Sequence, residues 1–151
     1  MAQNGAKAVL PLIINNESVV NDIKFDVTGP ATGDIIYQCA GASADDANRA
    51  AAAAKAAFPA WSKTSPYERR DILMKAADIM LSRKEEFIHY QMEETGAGRM
   101  FVEHTFMMGV HLIKDFAGRI STIEGRVPSA SRQDAIVFKE PYGVILGIAP
   151  W

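Results

Sequence analysis

The sequence predicts an α/β fold, and three observations carry that expectation. Apolar and polar residues alternate over the first forty positions, apolar residues then recur with a helical period from Ser43 to Ile120, and residues 144–149 form an unbroken apolar run. Alternation marks half-buried strands, a 3.6-residue period marks amphipathic helices, and a short apolar run bounded by turn residues marks a strand covered on both faces. The expected order is hairpins and strands, four helices, then strands again.

The first elements are a hairpin and a third strand. Leu12, Ile13 and Ile14 face Ser18, Val19 and Val20 across Asn15, Asn16 and Glu17, and asparagine tolerates the positive φ of a tight hairpin turn. Phe25 and Val27 alternate with polar neighbours, the stretch TGPATGD (28–34) is dense turn chemistry, and residues 35–39 form the next strand.

From Ser43 the period changes. Ala47, Ala50, Ala54, Ala57 and Trp61 make one stripe of an alanine-rich helix that Pro59 is expected to end or kink. Ser65, Pro66 and Glu68 combine a capping box with proline at the first helical position. The helix they start has Ile72, Ala76, Ile79 and Met80 on its expected inner face. Ser82 and Glu85 repeat the box, with Phe87, Ile88 and Met92 inward, and Gly96-Ala97-Gly98 closes that helix. The same S/T-x-x-D/E spacing occurs at Ser121 and Ser131 with no helical run behind it, so periodicity has to arbitrate. Residues 101–120 form the longest helix, with Val102, Phe106, Gly109, Leu112, Ile113, Phe116 and Ile120 on one side. After Gly125 residues 135–139 alternate, Pro141-Tyr142-Gly143 turns, and residues 144–149 form the last strand. A parallel strand needs a partner a dozen or more residues away along the chain, and none follows, which is the pattern expected of a fragment.

Bulk composition narrows the function classes. The 151 residues are 48% hydrophobic and 23% charged with net charge -2, an ordinary globular balance without the basic footprint of a nucleic-acid or anionic-membrane binder. One cysteine excludes an internal disulfide and a cysteine-rich metal site, and fits a reducing compartment. The N-terminal apolar stretch is broken by Pro11 and lacks a basic leader, and no apolar run approaches the roughly 18 residues of a membrane span. The expected location is cytoplasmic.

Local chemistry is sparse. Cys39 sits at a strand end, at least fifty residues from any histidine, with no helix N-terminus beside it to lower its pKa; the structural reading is favoured. His104 and His111 lie seven apart on one helix, a separation of about 10 Å that is too long for one zinc ion. Gly96-Ala97-Gly98-Arg99 starts like a dinucleotide fingerprint but lacks the third glycine and the preceding strand. No metal site is expected.

A resemblance adds what the residues alone do not. IINNE, GPATGD, ASADDANRAAAAAKAAFPAWSKTSPYERRDILMKAADIM, EETGA, DFAGRI and KEPYGVILGIAPW occur in that order from Ile13 to Trp151. This ordered set resembles the N-terminal part of the NAD(P)-dependent aldehyde dehydrogenase superfamily. EETGA with KEPYGVILGIAPW is most similar to members acting on aromatic aldehydes such as vanillin or salicylaldehyde.

The resemblance implies a chain incomplete with respect to that fold. Residues 1–124 would be outer hairpins and helices of the cofactor-binding domain. Residues 125–141 would be an excursion toward a β oligomerisation arm, and 142–151 a strand and loop of a Rossmann-like cofactor sheet; the catalytic domain would be absent. Ile148, Ala149, Pro150 and Trp151 would lie beside NAD or NADP, and His104 and Met108, one turn apart, would face the substrate tunnel. In the family a cysteine thiolate attacks the aldehyde, hydride passes to the nicotinamide, and a glutamate-activated water releases the acid. An asparagine holds the oxyanion. All of these residues follow the Pro-Trp in the family, so this chain is expected to carry no catalytic residue and to be inactive alone. Cys39 does not match the nucleophile's motif. The full-length protein is expected to be a homo-oligomer, dimer or tetramer, acting on a small aldehyde without nucleic acid or membrane. The alternative is a naturally short, non-catalytic paralogue that associates with full-length subunits.

Overall fold

A computed structural model describes residues 8–129 and 135–149. Its elements in order are β1 (Val9–Leu10), β2 (Leu12–Ile14), β3 (Glu17–Val19), β4 (Lys24–Thr28), β5 (Ile35–Ala40), α1 (Ala44–Trp61), α2 (Pro66–Ser82), α3 (Lys84–Thr95) and α4 (Arg99–Arg119). A single turn of 3-10 helix, Ile120–Thr122, follows α4. Strands, then four helices, is the order the periodicity predicts.

The β2–β3 hairpin forms as expected, Leu12 opposite Val19 and Ile14 opposite Glu17. Asn15 and Asn16 both take positive φ, 53° and 62°, the pair of left-handed residues that a two-residue turn requires. β5 is the centre of a second sheet, ordered β1-β5-β4, parallel to β1 and antiparallel to β4. The short parallel strand β1 is not signalled by the sequence, because two residues carry no period. Between β4 and β5 the turn is closed by Gly29 N–H to Asp34 C=O at 2.9 Å, with Gly33 at φ 75°.

The helices start largely where their caps place them. At α1, Ser43 Oγ accepts from the Asp46 N–H (3.1 Å) and Asp46 Oδ2 accepts from the Ser43 N–H (3.0 Å). At α2, Ser65 and Glu68 make the same reciprocal pair. The box expected at Ser82 does not form. The Ser82 hydroxyl donates instead to the Ile79 carbonyl within α2, and α3 begins after Arg83 without a side-chain cap. Gly96, at φ 68°, ends α3 in the left-handed conformation. Pro59 lies inside the last turn of α1 and the helix continues two residues past it.

The core lies between α2, α3 and α4. Ala77, Phe106 and Val110 are buried together, with Met80, Leu81, Met107 and Ile113 packed around them. Ile88 (1% exposed) and Val102 are sealed, and the Phe87 and Phe106 rings meet at 5.8 Å. The inner faces differ from those expected. α2 turns Ala77, Met80 and Leu81 inward and leaves Ile72 and Ile79 exposed. α4 buries Val102, Phe106, Val110 and Ala117, whereas Leu112 and Phe116 are outward. The stripe Ala47, Ala50, Ala54, Ala57 and Trp61 on α1 is exposed, and the one buried residue of that helix is Asp46. α2 and α4 carry apolar residues on more than one face, and packing chose among them.

The last expected strand is not a strand here. Residues 144–149 join no ladder, and Leu146 (84%) and Ile148 (82%) are exposed. A strand of this kind is stabilised by neighbours on both edges, and among the described residues it has none. Residues 135–139 contribute only the isolated antiparallel bridge between Arg126 and Val137.

Candidate functional site

The positions implied by the resemblance fall on two separate pieces of the molecule. His104 and Met108 belong to α4, four residues apart and therefore on one face of the helix. Both are exposed, and Phe101 and Leu112 extend the same outward face. The inward face of α4 is fully used by the core, so the helix is two-sided: packed below, apolar and open above.

Ile148 and Ala149 are the described part of the second group, and both are exposed. Pro150 and Trp151 lie outside the described residues. The segment starts at Gly143, whose φ of 95° only glycine adopts without strain, and Gly143, Val144 and Ile145 line a shallow groove with Ala54, Ala57, Phe58 and Trp61 of α1. The groove continues as a second depression between the β2–β3 hairpin and α1, lined by Ile13, Ile14, Asn15 and Asn16. The C-terminal segment is thus set beside α1, while His104 and Met108 stand on α4.

Electrostatics concentrate elsewhere. Asp46 (7% exposed) accepts from Asn21 Nδ2 at 2.9 Å, and Asn21 Nδ2 also donates to the Gly41 carbonyl at 2.8 Å, tying α1 to the strand ends. The bond from the Ser43 backbone, then those from the Ser43 hydroxyl and Asn21, with Arg49 nearby, hold the Asp46 carboxyl below the usual carboxylate range. Tyr37 on β5 donates to Glu94 on α3 and meets the Tyr90 ring edge-on at 6.3 Å. Burial, then the Glu94 carboxylate, pushes the Tyr37 phenol up. Burial, then Glu94, also pushes up the thiol of Cys39. A thiol shifted that way holds its proton and is a poor nucleophile, which agrees with its reading as structural. Among the described residues no group of three metal-ligating side chains gathers, and no helix is long and apolar enough to cross a membrane.

Asn21–Asp46 and Tyr37–Glu94 carry no signal in the sequence. Their partners are 25 and 57 residues apart, and neither pair follows a local motif.

The model of the aldehyde dehydrogenase family matches residues 18–151. A vanillin dehydrogenase of Pseudomonas fluorescens is 36% identical over 146 residues, covering 94% of this chain and 30% of that protein. The crystal structure of a salicylaldehyde dehydrogenase from Pseudomonas putida, complexed with salicylaldehyde, is similar with a TM-score of 0.82. Its identity is 26%, over 88% of this chain and 28% of that one. An NAD-dependent aldehyde dehydrogenase from Sinorhizobium meliloti gives a TM-score of 0.76 at 28% identity, over 81% and 25% of the respective chains. The chain spans about 30% of the length of the curated relatives it matches. Its hairpins and four helices have the architecture of the N-terminal part of those structures. This chain belongs to the aldehyde dehydrogenase family.

Proposed function

We propose that this chain is the N-terminal part of an oxidoreductase that converts an aromatic aldehyde to its carboxylic acid with NAD or NADP as hydride acceptor. One observation carries the reading: the 36% identity to vanillin dehydrogenase extends over 94% of the chain. In this reading residues 1–124 are the outer hairpins and helices of the cofactor-binding domain, 125–141 lead toward an oligomerisation arm, and 142–151 bring main chain to the cofactor. The full-length protein is a cytoplasmic homo-oligomer.

Ile148 and Ala149 are exposed and outside any ladder, so their main-chain N–H and C=O groups are free of strand pairing. Such groups suit the ribose hydroxyls of a dinucleotide, which both donate and accept. Ile148, Ala149, Pro150 and Trp151 hold the cofactor's position, and Pro150 stiffens the approach without adding a donor. Bound there, the nicotinamide supplies the hydride acceptor. On α4, His104 offers a polar group and Met108 a polarizable apolar one at the substrate's entrance.

The test uses the full-length protein that contains this sequence, assayed with vanillin, salicylaldehyde and a short aliphatic aldehyde, each with NAD and with NADP. The aromatic aldehydes are expected to exceed the aliphatic one in kcat/KM by about tenfold, the scale on which an apolar pocket discriminates. Preference for the aliphatic aldehyde overturns the substrate class, and absence of aldehyde-dependent cofactor reduction overturns the activity. Residues 1–151 alone are expected to reduce no cofactor.

A further inference from the structure

Arginine side chains along the helices are paired, with one exception. Arg49, Arg70, Arg83, Arg99 and Arg119 each hold a carboxylate within 3.2 Å. Arg69, in the first turn of α2, holds none: among the described residues its guanidinium makes no hydrogen bond and no ion pair. Its Nε is sealed from solvent without an acceptor, and the residue as a whole is half-buried. An N–H buried in this way gives up its water without a replacement, and the penalty is larger in a charged group.

The packing of the helices fixes where that group stands. Arg69, Leu73 and Ala77 are spaced four apart, so Arg69 extends the stripe by which α2 meets α4. α3 begins directly after Arg83, and its first residues grip the start of α4 through Glu85–Arg99 (2.7 Å) and Lys84–Glu103 (3.8 Å). The end of α2 therefore lies beside the start of α4, and the two helices run antiparallel. Lys114 Nζ meets Asp78 at 3.0 Å, and Arg69 is as far before Asp78 as Ile123 is after Lys114. Arg69 thus stands at the level of the 3-10 turn Ile120–Thr122, against which α2 packs. There the apolar stripe gives way to a guanidinium fork whose inner N–H is shut from water.

We propose that Arg69 is the receptor for a carboxylate that docks at the junction of the start of α2 with the 3-10 turn. A guanidinium presents its Nε–H and one Nη–H side by side, the spacing of the two oxygens of a carboxylate. One such contact gives the sealed N–H an acceptor and the cation a counter-charge. A main-chain carbonyl satisfies the N–H alone and leaves the charge unpaired. The same chemistry has two sources, a small free acid or an Asp or Glu side chain of the longer polypeptide that contains this sequence. The inference does not depend on the aldehyde-oxidising reading.

The experiment compares thermal unfolding of the chain in sodium acetate and in sodium chloride of the same ionic strength, for wild type, Arg69→Gln and Arg69→Lys. Acetate is expected to raise the wild-type midpoint by about 3 °C near saturation, the scale of one occupied site. Arg69→Gln is expected to show no difference between the two salts. Arg69→Lys is expected to show a smaller one than wild type, because an ammonium lacks the fork. Each comparison is made within one variant, so a general loss of stability does not imitate the result. In a nitrogen-15 spectrum, the Nε–H resonance missing from Arg69→Lys is expected to shift with acetate and to saturate over the same concentrations. The full-length protein that contains this sequence separates the two sources. If one of its own side chains occupies Arg69, acetate leaves the midpoint unchanged and Arg69→Gln lowers it. If the ligand is a free acid, acetate raises the midpoint there too. A wild-type chain indifferent to acetate, an acetate response retained in Arg69→Gln, or a full-length protein indifferent to both changes overturns the proposal.

Discussion

The helical layer and the C-terminal segment 136–148 are both rich in large apolar side chains, yet they end in opposite environments. In the layer, Ile88, Val102 and Val110 are shut away from water, and Phe106 is 6% exposed. In the segment, Ile136, Phe138, Ile145, Leu146 and Ile148 all stand in solvent. Composition does not separate the two. The helices satisfy their own main chain, so each needs only one apolar face covered, and α2, α3 and α4 cover one another. A strand satisfies no main-chain group by itself and is stabilised only by neighbours that accept and donate along both edges. Apolar content supplies the drive to be buried; hydrogen-bonded partners decide whether burial is possible.

Mutations can break that contrast. The largest loss of stability is expected from Phe106→Ala, about 3 kcal/mol in urea unfolding, because the ring fills the contact between α3 and α4. A cost below about 1 kcal/mol would mean the layer is no better packed than the segment. Gly96→Ala is expected to cost about 1–2 kcal/mol. Its φ is 68°, and an added Cβ would sit 3.1 Å from Pro30 Cγ, in the turn that docks on the end of α3.

A third, smaller effect is pH-dependent. The Asp46 carboxyl titrates below its usual range, so its folded pKa is depressed relative to the unfolded chain. The stability it confers is fully present above the unfolded carboxylate pKa, near ~4, and is lost as pH falls through the folded value. Thermal unfolding from pH 7 downward is expected to show wild type converging on Asp46→Asn in acid. Parallel curves would remove Asp46 from the account. The smallest effect is expected from Ile148→Ser, within about 0.5 kcal/mol, because nothing in the described structure covers that side chain. A loss comparable to that of Phe106→Ala would erase the distinction between the two regions.

Much of the fold was legible because its signals are local. The Asn15-Asn16 turn, the Ser65 cap and the Gly96 stop each act within four residues of themselves. What was not legible depends on partners. α2 carries Ile72, Leu73, Met74, Ala76, Ala77, Ile79, Met80 and Leu81, so apolar side chains surround much of its circumference and the sequence offers several inner faces. Only α4, packed alongside, selects the one holding Ala77 and Leu81. The Ser82 box failed for a related reason. Once α2 extends to Ser82, its hydroxyl lies nearest the Ile79 carbonyl and is no longer free to cap α3. The family was readable from the order of motifs, whereas the positions those motifs imply, His104, Met108, Ile148 and Ala149, are all exposed surfaces whose chemistry depends on what meets them.

The bond from Tyr37 to Glu94 has an optical consequence. The chain holds four tyrosines, and the phenol of Tyr37 is held protonated above its ordinary range by burial and by the carboxylate it donates to. In an alkaline ultraviolet titration, Tyr37 is therefore expected to keep its phenol spectrum above the pH at which a free tyrosine gives the phenolate band. Its late appearance would report the moment at which β5 and α3 part. Glu94→Gln should advance that signal toward lower pH. The molecule thus carries an internal chromophore at the seam between its sheet and its helices, readable without a label.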